Sequence, residues 1–337
     1  MHNIFTGSTT TIDDGDDGKR TPERRNEGGA RYRSDERTGG TGEWLVQKIL
    51  DYGCASVNEF EERSLDEPKF RQVVFRQNYE NLVRKALEIA KGKVRNMSFM
   101  ELSKMAYYNR EKHVKYHQCL SAEESYHWFL SILAYNGFDK IEFIHDVFKF
   151  MDKMETKKNT LMFLGPPNAG KTLVAESIAI GAIYYANIQR FAKGQQFPFA
   201  EAVGTRCCML NEPRITDDLV ETLKNIAEGC PCHVEVKYKS GQILQRTPLL
   251  VATNHPLSMY VQNGKELAER AFNARCITYR FKNMDELRNC KGKLNPALWL
   301  YAAREMCRYD MDIHDKPCDS GVFEILENDG DIEIHYD

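Results

Sequence analysis

Apolar positions recur at helical spacing from Trp44 to about Ile144 and give way at Thr160 to short continuous apolar runs. Trp44, Leu45, Ile49 and Leu50 share one helix face, and Phe75, Tyr79, Leu82, Val83, Leu87 and Ile89 mark a second amphipathic stretch. Trp128, Phe129, Ile132 and Leu133 mark a third. Asn136-Gly137 is suited to end it, because glycine takes the left-handed backbone that stops a helix. Ile141 to Met154 predicts a further helix, with Phe143, Ile144, Val147, Phe148 and Met151 facing inward. These aromatic stripes read as helix-packing core.

Beyond Thr160 the period changes. Leu161-Met162-Phe163-Leu164 is a continuous apolar run, as expected of a strand covered on both faces, and a Gly-rich loop and a helical segment from Leu173 to Ile183 follow it. Strand, loop and helix in that order open a parallel α/β domain. Cys207 to Leu210 and Leu249 to Thr253 predict further buried strands. His233 to Lys239 alternates, Ser240-Gly241 is a turn signal, and Gln242 to Arg246 can return as the second arm of a hairpin.

Composition changes the picture mainly at the two ends. Residues 1–42 are rich in Gly, Thr, Asp and Arg with few apolar residues after Phe5, so they are expected to form a disordered arm. Within it Lys19, Arg20, Arg24 and Arg25 form either a nuclear-import or nucleic-acid patch or an ordinary solvated face. After Asp310 the chain turns acidic, with Val322, Phe323, Ile325, Leu326, Ile332 and Ile334 interleaved. Such a tail can dock on partner proteins, or remain solvated. The expected organisation is an arm at 1–42, a helical domain at 43–124, an α/β domain at 125–285, and a C-terminal helix with the acidic tail at 286–337.

The net charge of −3 over 337 residues excludes a uniformly basic coat but not a local basic channel. No run of about 18 apolar residues occurs, so no membrane partner is expected. Ten cysteines in a chain of this size read as reduced thiols. Cys230 and Cys232 are spaced too closely for a common zinc half-site, and Cys207 and Cys208 read as core.

The chemistry lies in Gly165-Pro166-Pro167-Asn168-Ala169-Gly170-Lys171-Thr172, which has the spacing of a phosphate loop. Gly165 and Gly170 are expected to allow backbone angles that turn amide N–H groups toward phosphate oxygens. Lys171 would face the β- and γ-phosphates, the Thr172 hydroxyl can coordinate Mg²⁺, and the helix that follows adds its positive end. Hydrolysis needs more groups than these. Asn211-Glu212 follows the second apolar strand, and Asn254 follows the third, where polar residues point into the ligand crevice of a parallel sheet. Glu212 is therefore the candidate to activate water and hold metal. Asn254 can bond the γ-phosphate or that water, the alternative being a turn residue before His255-Pro256.

The ordered set Lys157-Lys158-Asn159-Thr160, the phosphate loop, Gln196-Phe197-Pro198-Phe199, Asn211-Glu212-Pro213, Lys237 with Lys239, and Thr253-Asn254 resembles a superfamily 3 helicase. It looks closest to the helicase domain of the large non-structural replication proteins of parvoviruses, densoviruses and bidnaviruses. The resemblance runs from about Ser125 to about Phe281. It implies an α/β fold with an AAA+-like P-loop core and a central, mainly parallel sheet. It also implies a homo-oligomeric ring, a hexamer, that uses ATP and Mg²⁺ to move 3′→5′ on single-stranded DNA at a viral replication origin in the host nucleus. In that reading 43–124 is the oligomerisation domain, 125–285 the ATPase domain, and the acidic tail a docking segment for host or viral replication proteins. Carried over by position, Lys171 and Thr172 contact phosphate and metal, Glu212 is the acidic-motif residue, Asn254 the polar sensor and Lys224 a lysine near the nucleotide. Lys237 and Lys239 match the pore hairpin, where their spacing would put both on one face of a strand. Arg275 matches the finger contributed by a neighbouring subunit, with Arg270 as the close alternative.

Two departures stand out. Most members have two adjacent acids where this chain has Asn211 before Glu212, so hydrolysis is expected to be slow, or Glu212 to serve both roles. The N-terminal nickase usual in parvoviral proteins has two histidines flanking one apolar residue. Here His113 and His117 are four apart and no such triplet occurs, so no nicking activity is expected. Asn211 and the acidic tail also keep open a non-hydrolysing or slow ATP-binding protein for assembly or transcription regulation. A small-molecule kinase is disfavoured, because a lysine hairpin stands where a lid of mobile arginines would be needed.

Overall fold

The computed structural model describes residues 35–188, 199–236, 239–314 and 322. The basic cluster at 19–25, residues 196–198, Lys237 and the acidic tail beyond 314, Val322 apart, lie outside the described residues. The chain divides into two units, Met1–Thr41 and Gly42–Asp337.

Among the described residues eight helices precede the first strand: α1 (Asp35–Tyr52), α2 (Val57–Ser64), α3 (Pro68–Val73), α4 (Tyr79–Asn96), α5 (Phe99–Tyr108), α6 (Arg110–His117), α7 (Ala122–Asn136) and α8 (Lys140–Met151). Helix α1 starts at Asp35, inside the segment expected to be the arm. Once the stretch carrying the buried Leu45, Val46, Ile49 and Leu50 is helical, adding turns N-terminal to it costs little. Two expected core positions are also corrected. Phe75 lies before α4 and is 89% exposed, and Ile89 is 53% exposed. The buried stripe of α4 is Tyr79, Val83, Ala86, Leu87, Ala90 and Val94, and Ile89 falls on its far side. Two small alanines complete a stripe that a search for large residues fills wrongly. Ser98 with Glu101 forms a capping box on α5, and Ser121 and Asp139 cap α7 and α8 with their side-chain oxygens. Gly137 ends α7 at φ 71°, as its glycine predicts.

The α/β part runs β1 (Thr160–Leu164), α9 (Lys171–Gly181), β2 (Tyr185–Ile188), β3 (Cys207–Asn211), α10 (Val220–Glu228), β4 (Cys232–Val236), β5 (Lys239–Leu244), β6 (Leu249–Thr253), α11 (Lys265–Asn273), β7 (Cys276–Arg280) and α12 (Leu298–His314). Five strands form a parallel sheet in the order β2-β3-β6-β1-β7. Alternate residues of its inner strands belong to two separate cores. Leu161, Phe163, Cys207, Met209, Leu250 and Ala252 join the large cluster with α7, α8, α9 and α12. Met162, Cys208, Leu210, Leu249 and Val251 join a second cluster with Val220, Leu223 and Ile226 of α10 and Phe272 of α11. Burial on both faces explains why these strands read as unbroken apolar runs.

The hairpin needs correction. Val236 pairs with Lys239, so β5 already begins at Lys239, and Ser240-Gly241 lies within that strand instead of forming the turn. Lys239 is thus the first residue of β5.

Candidate nucleotide-binding site

All five strands of a parallel sheet end on one side, and the loops after β1, β3, β6 and β7 gather there. Gly165 leaves β1 by donating its N–H to the Thr253 carbonyl at 3.1 Å. Its need for glycine is proximity and not a left-handed angle, because a Cβ there would lie 2.3 Å from the Phe281 carbonyl oxygen. Gly170 does take the left-handed backbone, at φ 82°, and Asn168 does so at φ 58°. Helix α9 then starts at Lys171, with its free N–H groups facing the loop.

Lys171 is almost completely buried, at 5% exposure. Its ammonium donates to the Pro166 carbonyl at 2.6 Å and to Asn254 Oδ1 at 2.9 Å. Burial pushes its pKa below the ordinary lysine value, and the negative charge of Glu212 opposes that shift. Glu212 follows β3 at φ 47°, an uncommon angle for a side chain of its size. Its N–H donates to the Ala252 carbonyl at 2.9 Å, and its carboxylate accepts from the Asn254 N–H at 3.0 Å. Asn254 thus touches both charged groups. Together with Asn168, Ala169, Gly170, Thr172 and Asn211 these residues line a cleft of about 380 Å³, closed on its other side by Leu287 and Arg288.

The other expected site residues lie elsewhere. Lys224 on α10 pairs with Glu221 at 2.8 Å and is not among the residues lining the cleft. Arg275 precedes β7, at the opposite end of the sheet from the phosphate loop of its own chain. Its guanidinium holds Glu228 at 2.7 Å and the Ala271 carbonyl at 2.9 Å. Arg270 on α11 is exposed, and its side chain makes no ion pair or hydrogen bond among the described residues. Neither arginine is among the residues that line the cleft of its own chain. Leu287 and Arg288 had no signal in the sequence, since the segment between β7 and α12 carries no apolar period and no motif.

The family model described as parvovirus non-structural protein NS1 matches residues 30–298. Initiator protein NS1 of Bombyx mori densovirus is 29% identical over 171 residues, which is 49% of this chain and 18% of that protein. Initiator protein NS1 of human bocavirus 4 is 27% identical over 168 residues, 50% of this chain and 21% of that protein. That of Junonia coenia densovirus is 27% identical over 156 residues, 46% of this chain and 27% of that protein. The chain thus corresponds to between 18% and 27% of these relatives' lengths. Among solved structures, a JCV helicase with a substituted N-phenylacetamide bound matches with a TM-score of 0.58 at 12% identity, over 85% of this chain and 91% of that one. A further JCV helicase structure matches at 0.55. With more than half its length matched by the family model, the chain belongs to the parvovirus non-structural protein NS1 family.

Proposed function

We propose that this chain is the ATP-hydrolysing motor of a DNA helicase that replicates a single-stranded DNA viral genome. In this reading it works as a ring and moves 3′→5′ along one strand in the host nucleus. The observation that carries the proposal is the junction of Lys171, Asn254 and Glu212 at the mouth of one phosphate loop. The names of the curated relatives, initiator proteins, and the helicase fold of the solved structures support it.

A magnesium nucleoside triphosphate fits these residues. Among the described residues a buried ammonium is held by two neutral acceptors only, and a glycine cradle tolerates no Cβ at Gly165. The cleft is of small-ligand size. Thr172 and Glu212 would hold the ion, which supplies charge neutralisation on the phosphates when bound. Lys171 would exchange the Pro166 carbonyl and Asn254 Oδ1 for phosphate oxygens. Asn254, released from that contact, can then orient the attacking water, while Glu212 takes its proton. Asn211 lines the cleft without adding charge.

Asn211 and the left-handed Glu212 favour a second reading, an ATP-binding assembly or transcription-regulating protein with slow or no turnover. ATP-driven oligomerisation without phosphate release would select it. The motor reading is tested by unwinding duplexes with a 3′ or a 5′ single-stranded tail. ATP-dependent unwinding of the 3′-tailed duplex alone is expected. Unwinding from the 5′ tail contradicts the direction, and unwinding without ATP contradicts the motor.

A further inference from the structure

Four loops contribute to the cleft, and only three carry groups that the reaction uses. The fourth, after β7, is fastened to the phosphate loop along its length. Phe281 N–H donates to the Leu164 carbonyl at 2.8 Å, Met284 N–H to the Asn168 carbonyl at 3.1 Å, and Asn283 Nδ2 to the Pro167 carbonyl at 3.1 Å. Helix α7 anchors the same segment from behind. The Tyr135 hydroxyl donates to the Asn283 carbonyl at 2.8 Å, and Asn136 Oδ1 accepts from the Lys282 N–H at 2.6 Å. Leu287 rests against Gly170, where an added Cβ would lie 3.2 Å from its Cδ1.

Sheet order gives the cleft a direction. Glu212 follows β3, Asn254 follows β6, the phosphate loop follows β1, and Leu287 with Arg288 follows β7. Neighbouring strands are about 4.8 Å apart, so the acid and the strap lie on opposite sides of the loop, about 14 Å from one another. A triphosphate lying along the loop with its last phosphate toward Asn254 and Glu212 must carry its nucleoside toward β7. There the wall is an apolar side chain and a guanidinium. Arg288 is largely exposed and, among the described residues, engaged only by Asp285 one turn away, at 3.1 Å, a contact that water screens and that a ligand can displace.

We propose that Leu287 and Arg288 form the nucleoside-binding wall of the cleft, packing the base between an aliphatic side chain and a guanidinium plane. The proposal rests on the nucleotide reading above. Contact of this kind grips any planar base by its faces, so it selects nucleosides over bare polyphosphate more than one base over another. The strap also joins the base-binding end to α7, so Tyr135 and Asn136 act as positioning residues for it.

Isothermal titration of the full chain with Mg-ATP, Mg-GTP and magnesium tripolyphosphate separates the possibilities. Leu287→Ala and Arg288→Ala should each weaken ATP about tenfold, GTP by a similar factor, and tripolyphosphate by less than about twofold. Leu287→Met should restore ATP binding. ATP affinity unchanged in both alanine variants overturns the proposal and leaves the nucleotide site standing. Equal losses for ATP and tripolyphosphate also overturn it, because the strap would then only brace the phosphate loop. If the unaltered chain binds neither ligand, the nucleotide reading itself fails.

Discussion

The two ends of the central sheet are built from similar residues and used in opposite ways. At the amino ends of the strands Asn159 is 1% exposed and all its polar groups are engaged. Its side-chain N–H groups reach the Ile226 and Thr247 carbonyls at 2.9 and 2.7 Å. Its backbone N–H reaches the Ala227 carbonyl, and its own carbonyl accepts from the Leu249 N–H. Arg206 holds Asp152 at 3.0 Å nearby, and Arg246 bonds the Glu155 carbonyl. At the carboxyl ends Asn211 and Glu212 are exposed, Glu212 sits at φ 47°, and the buried Lys171 holds acceptors that a phosphate can replace. An amide at one end joins β1 to the segments around α10 and β6. An amide at the other, Asn254, holds two charged groups ready. The lesson is that residue type does not decide the role; the partner left open does.

The sharpest way to break this contrast is a substitution at each end. Glu212→Gln should lower kcat for ATP about a hundredfold or more while unfolding in urea stays unchanged. Asn159→Ala should do the reverse. Two buried carbonyls lose their donors, a cost of about 2–4 kcal/mol in urea unfolding, with little change in turnover per folded molecule. Gly165→Ala tests the contact between the ends of β1 and β7. A Cβ 2.3 Å from the Phe281 carbonyl must displace the strap, so ATP affinity measured by titration should drop about tenfold. Asn211→Asp restores a second acid, and steady-state kcat should rise by about threefold if charge limits turnover.

A further effect lies outside both ends. Burial holds the His113 pKa down at about 3, with His117, Arg63 and Lys112 adding to the shift, and its Nδ1 is buried without a partner among the described residues. The unfolded chain takes up this proton near the ordinary imidazole value and the folded chain does not. Stability should therefore fall as pH drops from about 6.5 toward 3, by at most about 1.4 kcal/mol per unit. His113→Phe should flatten that slope in urea unfolding measured across the range.

Much of the carboxyl end was legible in the sequence, because the phosphate loop marks Lys171 by its spacing and Glu212 and Asn254 come just after unbroken apolar runs. Lys171, Glu212 and Asn254 were found that way, and the sheet joins them because β3, β6 and β1 are adjacent. The work of Asn159 was not legible, since its side-chain partners lie 67 and 88 residues away. Leu287 and Arg288 were missed for the same reason: only the placement of β7 beside β1 brings their segment to the loop. Phe75 and Ile89 misled because large apolar residues signal a buried face even where alanines complete it. The hairpin was found but its turn was misplaced, as Ser240-Gly241 is a turn signal that the strand pairing overrides.

The central claim is that the carboxyl end of the sheet is an ATPase site built around Lys171. Phosphate release from Mg-ATP by the full chain, with and without single-stranded DNA, tests it against Lys171→Ala. Release that DNA stimulates, and that falls at least about a hundredfold in the variant, is the expected result. Release that persists in Lys171→Ala contradicts the site.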